Sequence, residues 1–105
     1  MDTFLKAVED RRVDAVIVHP DTEGLVLLQR LRSRSISVPS DLAIVSYDDE
    51  FAGIADIPLS AVAPAKYDVG VSAVELLRIR LAEPSGSRRR TFILPKLHMR
   101  FSSDL

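Results

Sequence analysis

The sequence contains no cysteine and only four glycines among its 105 residues. Without cysteine, disulfide bonds, thiolate zinc sites and cysteine nucleophiles are excluded, and a cytoplasmic location is the simplest expectation. Few glycines leave few tight loops that could cradle a phosphate group. A His-Glu-x-x-His helix and a serine in a nucleophile elbow are missing as well. We therefore expect the chain not to be an enzyme and to hold no cofactor or metal.

A strong charge of either sign is also missing, because 14 basic and 15 acidic residues give a net charge of −1. Without a global positive field, we expect the chain to bind neither DNA nor an anionic membrane by itself. No apolar run is long enough to cross a bilayer. The start, MDTFLKAVEDRR, has the charge pattern of an amphipathic helix rather than that of a secretory signal. Hydrophobic residues make up 47% of the chain, which is typical of a globular protein.

Predicted strands and helices alternate along the chain. Continuous apolar, β-branched runs predict two strands covered on both faces, Val13–His19 and Leu42–Tyr47. A weaker pattern predicts a third strand, Leu59–Ala63. Helical periodicity predicts a short helix around Phe4–Val8 and two longer ones from about Thr22 to Arg34 and from about Ala65 to Ala82. We expect an α/β fold, in which a parallel sheet is flanked by helices.

Two features are expected near the end of the sequence. The stretch Glu83–Arg90, EPSGSRRR, predicts a polar loop with solvated arginines. Thr91–Leu94 and Lys96–Phe101, separated by Pro95, predict a short terminal strand pair. His98 in this pair is expected to be an ordinary half-buried side chain rather than a ligand.

Residues that could bind a ligand follow the predicted strands. In parallel α/β sheets, ligands bind outside the carboxyl ends of the strands, so these residues are expected to share one rim. The candidates are His19, Pro20 and Asp21 after the first strand, Tyr47, Asp48 and Asp49 after the second, and Lys66 and Tyr67 beyond the third. We expect Asp21 to cap the following helix and Asp49 to cap the segment after it, which leaves Asp48 without an obvious structural role.

Two other chemistries stay open for this rim. His19 could bind a divalent metal together with Asp21, Asp48 or Asp49, although their spacing is not specific. Asp48 and Asp49 could also hold Mg²⁺ in a phosphotransfer pocket, with Lys66 as the charge partner.

The segment VPSDLAIVSYDD, Val38–Asp49, resembles the Val-Pro-x-Asp-x-x-(Val/Ile)-x-Gly-(Tyr/Phe)-Asp-Asp segment of LacI/GalR transcriptional regulators. Four other segments resemble that family in the same order: DAVIVHPD, IPLSAV, DVGVSAVELL and Lys96–Arg100. The resemblance implies part of a type I periplasmic-binding-protein-like subdomain. Residues 1–105 would be the C-terminal portion of the effector-binding and dimerisation domain, without the N-terminal helix-turn-helix.

The same resemblance implies a function and a set of binding residues. Family members bind a small-molecule effector in an interdomain cleft and act on operator DNA as homodimers, through the separate helix-turn-helix, as repressors or activators. By position, Asp48 would accept hydrogen bonds from the effector, and the cleft would also be lined by Tyr47, His19, Pro20, Lys66 and Tyr67. Pro20 stands where the family usually has Asn, and Lys66 stands near a frequent aromatic. A sugar-like or an anionic metabolite is therefore expected.

The second helix carries more apolar residues than one sheet face needs. Leu25 and Val26 lie beyond its main stripe, so they are covered either by a neighbouring helix of the same chain or by a second subunit. The resemblance favours a dimer interface that includes Leu25, Val26 and Gln29. It also predicts that Tyr67, Val74 and Leu77 lack partners here, which favours association. A solute-binding protein for import is the alternative to a regulator.

Overall fold

The computed structural model describes all residues, 1–105, and the chain divides into two compact units. The first unit comprises residues 1–63 and 97–105, and the second comprises residues 64–96. In chain order the elements are α1 (Asp2–Glu9), β1 (Ala15–Val18), α2 (Asp21–Ser33), β2 (Ala43–Tyr47), β3 (Ser60–Ala63), α3 (Lys66–Ala82) and β4 (Lys96–His98). Single 3-10 turns lie at Ala52–Ile54 and Phe101–Ser103.

The four strands form one mixed sheet in the order β1-β2-β3-β4. The pairs β1–β2 and β2–β3 are parallel, with Val18 opposite Ser46 and Ser46 opposite Ala61. The predicted α/β fold is confirmed. The predicted terminal strand pair is wrong, because residues 91–94 are not a strand and only β4 forms. Phe92 and Leu94 are 82% and 81% exposed, so their side chains bury little apolar surface, and Pro95 lacks the amide hydrogen that a strand ladder uses.

One face of the sheet carries the core of the first unit. Leu27 and Leu31 of α2 are buried together with Ile44 and Leu59. Gly24 lets α2 approach closely, since a Cβ at this position would lie 2.9 Å from Cδ1 of Leu59. The apolar stripe predicted for the second helix therefore packs against the sheet.

The opposite face of β1 is open, which corrects the prediction of a strand covered on both faces. Val16 and Val18 are partly buried, whereas Ala15 and Ile17 are exposed, with Ile17 at 75%. Side chains alternate between the two faces of a strand, so the exposed pair shares one face. The elements of the first unit cover β1 on the α2 side only.

Buried serines join residues 97–105 to the sheet. Ser102 Oγ donates to the carbonyl oxygen of Ile44 at 2.6 Å and accepts the amide hydrogen of Ser60 at 2.8 Å. Ser60 Oγ donates to the carbonyl oxygen of Arg100 at 3.0 Å. These hydrogen bonds satisfy hydroxyl groups that burial would otherwise destabilise, and they fix the backbone around Arg100.

The second unit consists of α3 and the loop that follows it. No residue of α3 is buried, and Tyr67, Val74 and Leu77 are 83%, 68% and 57% exposed. The expected shortage of partners at these three residues is confirmed. No helix of either unit combines the length and the apolar character needed to cross a bilayer.

Candidate ligand-binding site

The carboxyl ends of β1 and β2 bring together an aromatic pair and a carboxylate. Val18 lies opposite Ser46, so His19 and Tyr47 follow at the same edge of the sheet. Their rings meet edge to face, with centroids 5.3 Å apart and planes at 61°. Nε2 of His19 lies 3.7 Å from Oδ2 of Asp48, and the two side chains are 65% and 31% exposed. These three residues, which we call the rim, present polar groups and an aromatic surface to solvent.

The backbone turns sharply at Asp48, immediately after β2. Asp48 has φ of 100° and Asp49 has φ of 59°, both in a region that residues with a side chain rarely adopt. Aspartate tolerates positive φ better than most residues, yet such conformations persist only where the surroundings impose them. The amide of Asp48 donates to the carbonyl oxygen of Val62 at 3.0 Å. This turn aims the two aspartate side chains at different surroundings.

Asp21 holds the segment that follows Asp48. Its side chain is almost completely buried, at 1% exposure. Its Oδ1 accepts the amide hydrogen of Asp49 at 3.2 Å, and its Oδ2 accepts those of Glu50, Phe51 and Ala52 at 2.6, 2.9 and 3.3 Å. Burial by itself would raise the pKa of Asp21, but hydrogen bonds to the charged form, with Phe51 first among the backbone amides, outweigh it and the pKa is lowered.

The prediction that Asp21 caps its own helix is wrong. Pro20 is the N-cap of α2, and its carbonyl oxygen accepts the amide hydrogens of Glu23 and Gly24 at 3.0 and 3.3 Å. Asp21 is therefore the first residue of the helix, where its carboxylate can face the neighbouring turn instead of the helix's own amides.

Asp49 binds residues from the last part of the first unit. Its carboxylate, 8% exposed, receives Nη1 of Arg100 at 2.6 Å and Nη2 at 3.2 Å. His98 Nδ1 lies 2.5 Å from Oδ2 of the same carboxylate. The Arg100 guanidinium is the main reason that the pKa of Asp49 is lowered; burial opposes this, and His98 adds to it. The expected capping role of Asp49 is wrong, since Asp21 takes the following amides.

The sequence and the fold both match known proteins. A family profile described as a periplasmic binding protein-like domain matches residues 2–103. The repressor PurR of Vibrio cholerae is 36% identical over 81 residues, which are 76% of this chain and 24% of that protein. A complex of the transcriptional regulator CelR with cellobiose has a TM-score of 0.78 at 30% identity, over 92% of this chain and 32% of that one.

A LacI family regulator of Lactobacillus casei with bound sucrose also matches. It has a TM-score of 0.69 at 27% identity, over 86% of this chain and 33% of that chain. The chain belongs to the periplasmic binding protein-like family. The resemblance to LacI regulators is confirmed by the matched proteins, which are transcriptional repressors and regulators. This chain spans 24–33% of their lengths.

The remaining predicted cleft residues lie in two places. Pro20 is partly buried and sits between His19 and Asp21, as the N-cap of α2. Lys66 and Tyr67 are the first two residues of α3 in the second unit. Their predicted role in a periplasmic binding protein-like cleft stays a prediction.

The first unit gives little support to the two alternative hypotheses, a metal site and a phosphotransfer pocket. A metal site would need several of His19, Asp21, Asp48 and Asp49, but no group of three or more ligand side chains lies close enough to hold a metal ion. The carboxylates of Asp21 and Asp49 already bind backbone amides and Arg100. Of Asp21, Asp48 and Asp49, only Asp48 would therefore have a carboxylate open to a ligand in a phosphotransfer pocket.

A groove lies along α2, away from the rim, and we call it the α2 groove. It has a volume of about 700 Å³, and its lining includes Leu25, Leu28, Gln29, Ile54 and Ile57. Val26 does not line the groove but is 40% exposed on the same helix, and Ile54 is 79% exposed. The surplus apolar residues of the second helix are thus only partly covered within the first unit.

Sequence reasoning missed Arg100 and His98 as partners of Asp49. One signal was available: the two residues are two positions apart, so in extended chain they lie on the same side. A second signal was the pair Asp48–Asp49 itself, because two adjacent carboxylates near a buried sheet edge need positive partners.

Proposed function

We propose that this chain supplies one wall of the effector-binding cleft of a LacI-type transcriptional regulator, and that Asp48 binds the polar groups of the effector. The observation that carries this proposal is the contrast among three aspartates. Asp21 and Asp49 are committed to backbone amides and to Arg100, whereas Asp48 is 31% exposed beside His19. An ionised carboxylate of this kind accepts strong hydrogen bonds from hydroxyl or amino groups once water is excluded.

The rim favours a ligand that combines hydrogen-bond donors with an apolar face. His19 and Tyr47 offer ring surface and polar atoms, and Asp48 offers acceptors. Cellobiose and sucrose, the ligands of two matched proteins, have this character. We therefore propose a sugar-like effector. Pro20 offers no side-chain hydrogen bond, and Lys66 would suit an anionic group, so an anionic metabolite is the second class.

The parent protein is proposed to act on operator DNA through a helix-turn-helix outside residues 1–105, in the cytoplasm and without catalysing a reaction. Effector binding shifts such a protein between two states by the difference in its affinity for them. A solute-binding protein for import is the alternative. The matched repressors favour the regulator.

We propose that the α2 groove forms the dimer surface, with Leu25, Val26 and Gln29 in the contact. The groove is apolar over much of its lining, Ile54 in that lining is largely exposed, and Val26 leaves apolar surface open beside the groove. A patch of this kind is typical of subunit interfaces.

The cleft proposal can be tested by recording amide spectra of isotope-labelled chain during titration with cellobiose, sucrose, glucose and a planar heterocycle such as adenine. We expect a sugar to shift the amides of His19, Tyr47 and Asp48 first. Asp48→Asn keeps the size of the side chain but replaces an acceptor by a donor, so it should weaken this binding about tenfold or more.

The matched control is Asp14→Asn, a substitution of the same type at an exposed position before β1. It should leave the titration unchanged. Shifts centred on the α2 groove, or rim binding that Asp48→Asn leaves intact, would contradict the proposal.

A further inference from the structure

The turn formed by residues 48–52 is held from two sides by groups that come from distant parts of the sequence. On one side, the Asp21 carboxylate of α2 accepts the amide hydrogens of residues 49–52. On the other side, the side chain of Asp49 is held by Arg100, which follows β4. Asp48 is the first residue of the turn and precedes both attachments in the sequence. Its own amide donates to the carbonyl oxygen of Val62.

Arg100 is itself fixed to the sheet rather than to solvent. Its Nη1 donates to the carbonyl oxygen of Leu59 at 2.8 Å as well as to Asp49. Its amide donates to Ser60 Oγ at 2.7 Å. The guanidinium also lies over Gly53, where an added Cβ would be 3.6 Å from Cζ. Arg100 therefore ties the Asp49 side chain to the start of β3.

The two attachments act on the backbone that carries the Asp48 carboxylate. Positive φ at both Asp48 and Asp49 costs conformational energy, of the order that one or two good hydrogen bonds supply. When the Arg100 contact is lost, His98 is left to hold the Asp49 side chain and Asp21 to hold the amides of residues 49–52, so the positive φ of Asp48 and Asp49 is less strongly imposed. The carboxylate of Asp48 would then leave its place beside His19.

We propose that Arg100 and Asp21 are positioning residues for Asp48: they hold the 48–52 turn in the conformation that presents the Asp48 carboxylate at the rim. This inference rests on the proposed function for its effect on effector affinity. It assigns a role in ligand affinity to a residue more than fifty positions away from Asp48 that does not belong to the rim. Arg100 acts only through Asp49 and the turn.

The conformational part of the test needs no ligand. Three-bond couplings between the amide and α hydrogens of Asp48 and Asp49, together with their one-bond Cα–Hα couplings, which separate positive from negative φ, report φ. These couplings are measured in the whole chain and in three variants. Arg100→Met removes the guanidinium at similar length, Arg100→Lys keeps the charge but not the paired donors, and Asp21→Asn puts donor hydrogens opposite backbone amides. We expect changed couplings in Arg100→Met and Asp21→Asn, and partial recovery in Arg100→Lys.

The matched control is Arg78→Met, which breaks another two-point arginine–carboxylate contact. Arg78 donates to Glu75 at 2.6 and 3.0 Å on α3, outside the first unit. The couplings of Asp48 and Asp49 in Arg78→Met should equal those of the unchanged chain. Arg100→Met with unchanged couplings, or Arg100→Lys no closer to the unchanged chain than Arg100→Met, would overturn the inference. If Asp21→Asn fails to fold, the two Arg100 variants decide the question.

Cellobiose is the probe for the effect on affinity. We expect Arg100→Met to weaken its binding about tenfold, Arg100→Lys to weaken it less, and Arg78→Met to leave it unchanged. The two failures can be told apart. If Asp48→Asn leaves the affinity for cellobiose unchanged, the proposed function is wrong. The couplings then still test whether Arg100 and Asp21 hold the conformation of the turn. If Asp48→Asn abolishes binding and Arg100→Met leaves both couplings and affinity unchanged, the positioning role alone is wrong.

Discussion

Gly24 of α2 lies so close to Leu59 that a methyl group added at Gly24 would be 2.9 Å from Leu59 Cδ1. Leu59 is completely buried, so it cannot move into solvent to make room. Alanine favours the helix over glycine by about 1 kcal/mol, whereas overpacking a core costs about 1–3 kcal/mol. We expect Gly24→Ala to lower the free energy of unfolding by about 1 kcal/mol, as measured by urea denaturation.

The matched control for this prediction is Gly70→Ala in α3, where an added Cβ meets nothing within 4 Å. Only the helix propensity changes there, so the stability of α3 should rise by about 0.5–1 kcal/mol. Slower amide hydrogen exchange within that helix would show this. If Gly24→Ala instead raised stability as much as Gly70→Ala, Leu59 would have moved aside without destabilising the core, and the prediction would be wrong.

Ser102→Ala should destabilise the first unit by about 1–3 kcal/mol. The hydroxyl is fully buried and bonds both the Ile44 carbonyl and the Ser60 amide, so its removal leaves two buried backbone groups without partners. Thermal unfolding measures the change. Ser33→Ala is the control, because Ser33 Oγ bonds only the exposed carbonyl of Arg30 and its loss should change stability by less than about 0.5 kcal/mol.

Asp49→Asn should flatten the acid limb of the stability curve. The pKa of Asp49 is lowered in the folded chain, mainly by Arg100, from an ordinary value of 3.8. Its contribution is therefore complete above about pH 3.8, declines as the pH falls, and is lost below the folded pKa. At neutral pH the variant should be less stable by about 1–3 kcal/mol, and the difference from the unchanged chain should shrink in acid.

Urea denaturation across the acid range measures this difference. Glu75→Gln is the comparison, since Glu75 also bonds an arginine but lies on the exposed surface of α3. Its pH profile should stay close to that of the unchanged chain, because exposed ion pairs contribute little. Parallel curves for Asp49→Asn and the unchanged chain down to strong acid would be incompatible with the assigned role of Arg100.

The chain should associate in solution through the α2 groove. Val26→Lys places a charge on the exposed apolar surface of α2 and should shift the molar mass from light scattering toward that of a single chain. Thr3→Lys, which adds the same charge on the exposed side of α1, should leave the mass unchanged. A single-chain mass for the unchanged protein would contradict the prediction.

The elements were predictable because their signals are local. The runs around β1 and β2 and the periodicity of α3 depend on neighbours a few positions away, and these elements formed within a few residues of the predicted bounds. The exposure of Ile17 was not predictable in this way, because an apolar residue in a strand carries no information about which faces other elements reach.

The polar contacts around Asp48 needed information that no local pattern contains. Asp21 preceded a helix and matched a cap, but its actual partners lie 28 to 31 positions later. Arg100 meets Asp49 only because β4 returns the chain to the edge of the sheet beside β3. The position of the rim followed from the general rule for parallel sheets, whereas its supports depended on the tertiary fold.

The division of the first unit around residues 64–96 has a consequence for synthesis on the ribosome. Residues 97–105 emerge only after the whole second unit, yet they supply Ser102, Arg100 and the last strand of the sheet. Until then the backbone at Ile44 and Ser60 and the carboxylate of Asp49 lack their final partners. The nascent first unit is thus exposed to misfolding and proteolysis for longer than a unit made from one continuous segment.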